Sequence, residues 1–197
     1  MTTTIHHTGL THLFTEVCND KTDWDINPIL YVLERERDDT SAYYLTPLSI
    51  LSDDMLHIAE ATKMPFPVIL ERYADVMEFT HELAPDLNPA GKHLDFIGMA
   101  FTCEAFKTNC DAETGKPIGQ PDHSDDPADN PNSVEIFSVA AYTIDNMIHG
   151  HTIERDTRDH EHYCETMTEK HEIARVPVTL RRMVNVFHNA STIRETT

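Results

Sequence analysis

The stretch "HLDFIGMAFTCEAFK", residues 93–107, limits the fold more than any other part of this chain. Strand alternation puts Leu94, Phe96, Gly98, Ala100 and Thr102 on one side. Ile97, Met99, Phe101, Cys103 and Ala105 fall on the other. Both sides are largely apolar, so neither suits solvent, and the strand must be central in a sheet covered on both faces. "SVEIFSVAAYTI", residues 133–144, has the same character. Asp145 and Asn146 can turn it directly into "MIHGHTIERD", a second strand of a hairpin.

The covering layers have to be helices, and the rest of the chain supplies them. "TGLTHLFTEVC" places Leu10, Leu13, Phe14, Val17 and Cys18 on one helical stripe, with Thr8 in position to cap it. The turn-forming "NDKTDWD" ends this helix, and Trp24, the single tryptophan, is expected to anchor that loop on the core. "ILYVL" (29–33) and "SAYYLT" (41–46) read as a hairpin across the polar "ERERDDT", although Pro28 is equally suited to open a helix over 29–36. Ser52 is placed to cap "DDMLHIAEAT", whose aspartates suit a helix N-terminus. After the break Met64-Pro65-Phe66-Pro67, "PVILERYADVMEFTHELA" aligns Ile69, Tyr73, Val76, Met77, Thr80 and Leu83 on one face, and Pro85 stops it. A last helix carries the stripe Leu180, Met183, Val184 and Phe187, with Pro177 in its first turn. Residues 108–132, rich in Asp, Pro and Asn, read as a mobile loop. The expected fold is α+β: a single acidic domain over 1–197 with an antiparallel sheet flanked by helices.

Three segments, "DWDINPILYVL", "FIGMAFTCEAF" and "EIFSVAAYTIDN", resemble small uncharacterised proteins of actinobacteria and their phages. The resemblance implies a helix-flanked antiparallel sheet and assigns no functional residue.

Charge narrows the function classes. Fifteen Lys and Arg against 34 Asp and Glu give a net charge of −19, spread over the first three quarters of the chain. Such a field repels nucleic-acid phosphates and anionic membranes and attracts basic partners. The helix pair around Met64–Pro67 therefore does not read as a DNA-binding helix-turn-helix, which needs a basic second helix. No apolar run approaches the length of a membrane span and the start lacks the apolar core of a signal peptide, which points to the cytoplasm. Cys18, Cys103, Cys110 and Cys164 are too few for a disulfide scaffold and are expected as buried or free thiols. Gly-rich phosphate loops, GxSxG and HExxH are all missing.

The chemistry-bearing candidates concentrate in "HGHTIERDTRDHEHYC" and just beyond it. His149, His151, His160, His162, Cys164 and His171 are types that hold zinc or another transition metal. On strands, His149 and His151 share one face, as do His160, His162 and Cys164. On a helix over 158–174, His160, Cys164, Met167 and His171 form a stripe. A metal site requires at least three of the six to converge. Asp156, Asp159, Glu161 and Glu165 interleave with the histidines and are expected to raise their pKa values. Cys164 beside imidazole is also a candidate nucleophile, opposed by the surrounding acids, and Cys103 reads as an inert buried thiol. "DHSDDPADNPN" offers oxygen ligands without the spacing of a calcium loop.

Three classes of function follow. The leading reading is a non-enzymatic acidic protein that engages a basic protein surface, in the manner of a phage-encoded or accessory inhibitor that mimics nucleic acid. Its carriers are Asp53, Asp54, Glu71, Asp75, Glu78 and Glu82 on the helices and Asp122, Asp125, Asp126 and Asp129 in the loop. The competing reading is a metal-binding protein or metalloenzyme built on the histidine- and cysteine-rich segment. A structural component of a larger particle, or a homo-oligomer, is also compatible with the two-sided apolar strands.

Overall fold

The computed structural model describes residues 5–24, 27–39, 41–80, 94–108, 118, 129–169 and 175–195. Helix α1 (His7–Asn19) is followed by β1 (Ile29–Glu36), β2 (Tyr43–Pro47), α2 (Ser49–Thr62) and α3 (Phe66–Thr80). Then come β3 (Leu94–Lys107), β4 (Val134–Thr143), β5 (Met147–Glu154), β6 (His160–Thr166) and α4 (Arg175–Glu195). The six strands form one antiparallel sheet in the order β2-β1-β3-β4-β5-β6. The two apolar strands, β3 and β4, occupy its centre. The fold is α+β, and residues 29–36 form a strand rather than the helix Pro28 could have opened.

Each face of the sheet carries its own core. On one, Met99, Phe101, Tyr142 and Ile148 pack against Met55 of α2, Ile69, Leu70, Ala74 and Met77 of α3, and Leu180, Met183 and Phe187 of α4. On the other, Leu10, Phe14 and Cys18 of α1 cover Leu33, Ile97, Phe137, Val139, Ala141 and Ile153. Trp24 packs against this second core, with the Lys21 ammonium and the Arg155 guanidinium both over its ring.

Several local expectations are corrected. Strict alternation puts Ile97 with Met99 and Phe101, yet Ile97 faces α1 while Phe96 packs on the α4 side. A bulge explains this: the β1–β3 pairing runs from Leu33–Gly98 to Glu34–Phe96, leaving Ile97 as the extra residue. Gly98 sits where a Cβ would strike the Tyr142 carbonyl, which is why the bulged strand can lie this close to β4. Thr8 lies inside α1, whose N-cap is His6 with no side-chain cap bond. Ser52 and the aspartates after it lie inside α2, which begins three residues earlier. The Ser52 hydroxyl instead accepts the Leu30 N–H and donates to the Leu48 carbonyl, tying α2 to β1. Ser52→Ala would strand that buried N–H and should cost about 1–2 kcal/mol, read as a lower urea midpoint. On α3, Val76 is exposed and Leu70 and Ala74 take the buried positions, because the helix packs against both α2 and α4. Leu83, Pro85 and most of the 108–132 loop lie outside the described residues.

Helix α1 is fastened at both ends to the β4–β5–β6 region. At its C-terminus the Arg158 guanidinium donates to the carbonyls of Lys21 (3.1 Å), Cys18 and Asn19 (both 3.5 Å). A cation there also suits the negative end of the helix. At its N-terminus the fastening is made by His7.

Candidate metal centre

Strand pairing lays out the histidine-rich segment. His149 lies opposite Cys164, His151 opposite His162, and Ile153 opposite His160. Residues 149, 151 and 153 share the face that α1 covers, so His149 and His151 are buried, whereas the edge strand β6 leaves His160, His162 and Cys164 exposed. The segment is a β-hairpin, and the helical stripe through Met167 and His171 does not form: β6 ends at Thr166. His171 lies outside the described residues.

Three potential donor atoms converge. His7 Nδ1 is 3.2 Å from His149 Nε2, and Cys164 Sγ is 3.9 Å from that same nitrogen. All three lie within 4.8 Å of one another. A tetrahedral zinc-class ion with ordinary bond lengths holds two nitrogens about 3.3 Å apart and a nitrogen and sulfur about 3.6 Å apart. The triad therefore needs only small adjustment to close on an ion.

The surrounding groups orient it. Asp145, at the β4–β5 turn, has one carboxylate oxygen 3.1 Å from His7 Nε2, while the buried Thr143 hydroxyl donates to the other at 2.6 Å. With its Nε2–H given to Asp145, His7 presents the Nδ1 lone pair to His149. A carboxylate behind a histidine in this way is how metal-bound imidazoles are usually fixed. The Tyr43 hydroxyl accepts the His6 backbone N–H at 2.7 Å, and the Tyr43 ring lies against Gly9 where any larger residue would collide. These contacts set the first turn of α1, and with it His7. Phe14 meets the His149 ring edge-on and closes the site from below.

Electrostatics leave His149 unprotonated. Burial, and then the neighbouring His7, push its pKa down to about 4 against the opposing pull of Asp145. His151 is likewise held down to about 4 by burial and by His160 and His162. The expectation that nearby carboxylates raise these values fails for the two inward histidines, because Glu161 and Glu165 alternate onto the other face of β6, Asp156 and Asp159 lie exposed in the turn, and desolvation dominates. Neutral imidazoles at neutral pH are the form that binds metal.

The Cys164 thiol is pushed upward, by desolvation first and the Asp145 charge second. That opposes a nucleophilic role for the free thiol. At pH 7, in chelator, it should react with iodoacetamide more slowly than a small free thiol, and zinc should slow it further; mass spectrometry of the modified peptide reads both. Cys103, half-buried, is raised to about 11 and Cys18, fully buried, to about 12, as befits inert thiols.

Among the described residues no three of the six sequence candidates converge: His149 meets Cys164 and His151 meets His160, and the third donor of the first group, His7, is not one of the six. A signal for it did exist: His7, Leu10 and Phe14 fall at i, i+3 and i+7, so His7 continues the apolar stripe that faces the sheet. Nothing local links it to a strand 142 residues away. His151 belongs to a separate group with His160 and His162.

The acidic surface is partly occupied from within. Arg182 of α4 binds Asp75 at 2.6 Å and Glu78 at 2.6 and 2.9 Å, holding both carboxyls below their usual range, and Arg175 approaches Glu71 at 3.5 Å. Asp53, Asp54 and Asp129 are exposed, while Glu82, Asp122, Asp125 and Asp126 lie outside the described residues, as does most of "DHSDDPADNPN". No helix among the described residues is long and apolar enough to cross a membrane.

Comparison with protein-family models, with curated proteins and with solved structures gives no match.

Proposed function

We propose that this protein binds a transition-metal ion of the zinc class, held by His7 Nδ1, His149 Nε2 and Cys164 Sγ. The observation that carries the reading is the convergence of these three donors from three elements, with Asp145 behind His7. Two imidazoles and a thiolate are a donor set of intermediate softness, suited to Zn(II) and to Co(II) as its spectroscopic substitute. Among the described residues no fourth donor joins the group. The ion would keep an exchangeable position on the side where Cys164 is exposed, as metal sites that bind or transfer a small ligand do. Binding would release the thiol proton and would pin the start of α1 to the β5–β6 hairpin.

Metal analysis of protein purified without a tag, followed by Co(II) titration in chelator-treated samples, tests this. One equivalent with a thiolate-to-cobalt charge-transfer band is expected in the unaltered protein. The band should vanish in Cys164→Ser, and affinity should fall at least tenfold in His7→Ala. Uptake that neither replacement alters would overturn the assignment.

The acidic-interaction reading has a more limited basis, the exposure of Asp53, Asp54 and Asp129. Its test is capture of a basic partner at low salt that is lost at high salt.

A further inference from the structure

The second face-sharing histidine of β5 is not used by the centre above. His151 is 2 % exposed, and its Nε2 lies 3.0 Å from His160 Nδ1. The His162 ring, directly across the ladder, stacks on His151 with centroids 6.0 Å apart and planes 17° from parallel. His151 Nδ1 is buried without a hydrogen-bond partner among the described residues. Among the described residues no carboxylate is seen bonded to any of the three rings there, in contrast to His7 with its Asp145. The group is thus purely imidazole, anchored at one buried ring and open to solvent at the other two.

We propose that His151 Nε2 and His160 Nδ1, with His162 beside them, form a second metal site, one that takes a late divalent ion of the class imidazole binds, Ni(II), Cu(II) or Zn(II). Two cis nitrogens on a tetragonal ion sit about 2.8 Å apart, against about 3.3 Å on a tetrahedral one. The observed 3.0 Å lies between these values, so the pair can close on an ion of either geometry with small adjustment. With no sulfur in the set, the donors are imidazoles alone, which suit Ni(II), Cu(II) and Zn(II) alike. His162 would join by rotation of its exposed side chain, and water would fill the remaining positions. Because His149 and His151 are two residues apart on one strand, their backbone origins are about 6.6 Å apart. The hairpin would then carry two neighbouring ions in different donor sets, a thiolate centre under α1 and an imidazole centre at the open end.

This inference does not depend on the thiolate centre, and Ni(II) titration of the full chain separates the two. Calorimetry on the unaltered protein should give two equivalents. His160→Gln combined with His162→Gln, both at exposed positions that the fold tolerates, should weaken one equivalent at least tenfold and leave any thiolate-to-nickel band intact. Cys164→Ser should remove the band and spare the other equivalent. An isotherm unchanged by the double histidine replacement overturns the second site, whatever Cys164→Ser does. Loss of an equivalent in the double variant, with no thiolate band in any sample, sustains the second site and counts against the first.

Discussion

Zinc should raise the melting temperature of the chelator-treated protein by roughly 10 °C when free metal stands a thousandfold above its dissociation constant. The figure follows from linkage: an ion that binds only the folded chain adds about 4 kcal/mol at that ratio. For a domain of about 200 residues each kcal/mol moves the midpoint by about 2–4 °C. The effect should be large here because the donors come from distant parts of the chain. His7 lies on α1, His149 on β5 and Cys164 on β6, so the unfolded chain offers no preassembled site. His7→Ala and Cys164→Ser should each abolish most of the shift while leaving the metal-free melting temperature within a few degrees of the unaltered protein, since both side chains are partly exposed. Asp145→Asn should give an intermediate shift, because it would leave all three donors and remove only the charge that orients His7. A zinc-induced shift of the same size in all three variants would show that the ion sits elsewhere.

The second large effect is acid destabilisation of the metal-free protein. Buried His149 and His151 have pKa values near 4 in the folded chain, against about 6.5 when unfolded. Above pH 6.5 both states are neutral at these positions and the histidines cost nothing. Between pH 6.5 and 4 the unfolded chain takes up protons that the folded chain refuses, so stability falls as pH falls. At the limiting slope of about 1.4 kcal/mol per pH unit for each histidine, the pair removes on the order of 4 kcal/mol by pH 5. Urea midpoints measured in chelator at pH 7.5 and pH 5 should show that loss, and His151→Gln should reduce it by about half. A midpoint independent of pH over this range would mean that both rings ionise freely in the folded state. The Asp75 and Glu78 pairs with Arg182 act in a lower window, because their depressed carboxyls are given up only at more acid pH.

Legibility in the sequence divides by range. The central position of β3 and β4, the β4–β5 turn at Asp145-Asn146 and the four helices all follow from patterns that neighbours within a segment impose on one another. Period-two apolarity on both faces of residues 94–107 leaves no other place for that strand. The face shared by His149 and His151, and that shared by His160, His162 and Cys164, were likewise implied once the segment was read as strand. Local reasoning failed at Ser52 and Thr8, where helices begin earlier than the best capping side chain because the start is fixed by packing. It failed at Ile97, where a bulge beside Gly98 resets the alternation.

By itself, then, the sequence determined an acidic, helix-covered antiparallel sheet with a ligand-rich edge hairpin, since burial of apolar faces depends on periodicities a few residues long. Only the tertiary structure decided which ligands meet. Docking of α1 across the sheet brings His7 to His149 and Cys164, while the β5–β6 register sets His151 opposite His162 and within reach of the diagonally placed His160. It also decided the protonation of those rings: a histidine among aspartates and glutamates reads as one with a raised pKa, but desolvation under α1 outweighs charges on the other face of β6 and in its turn.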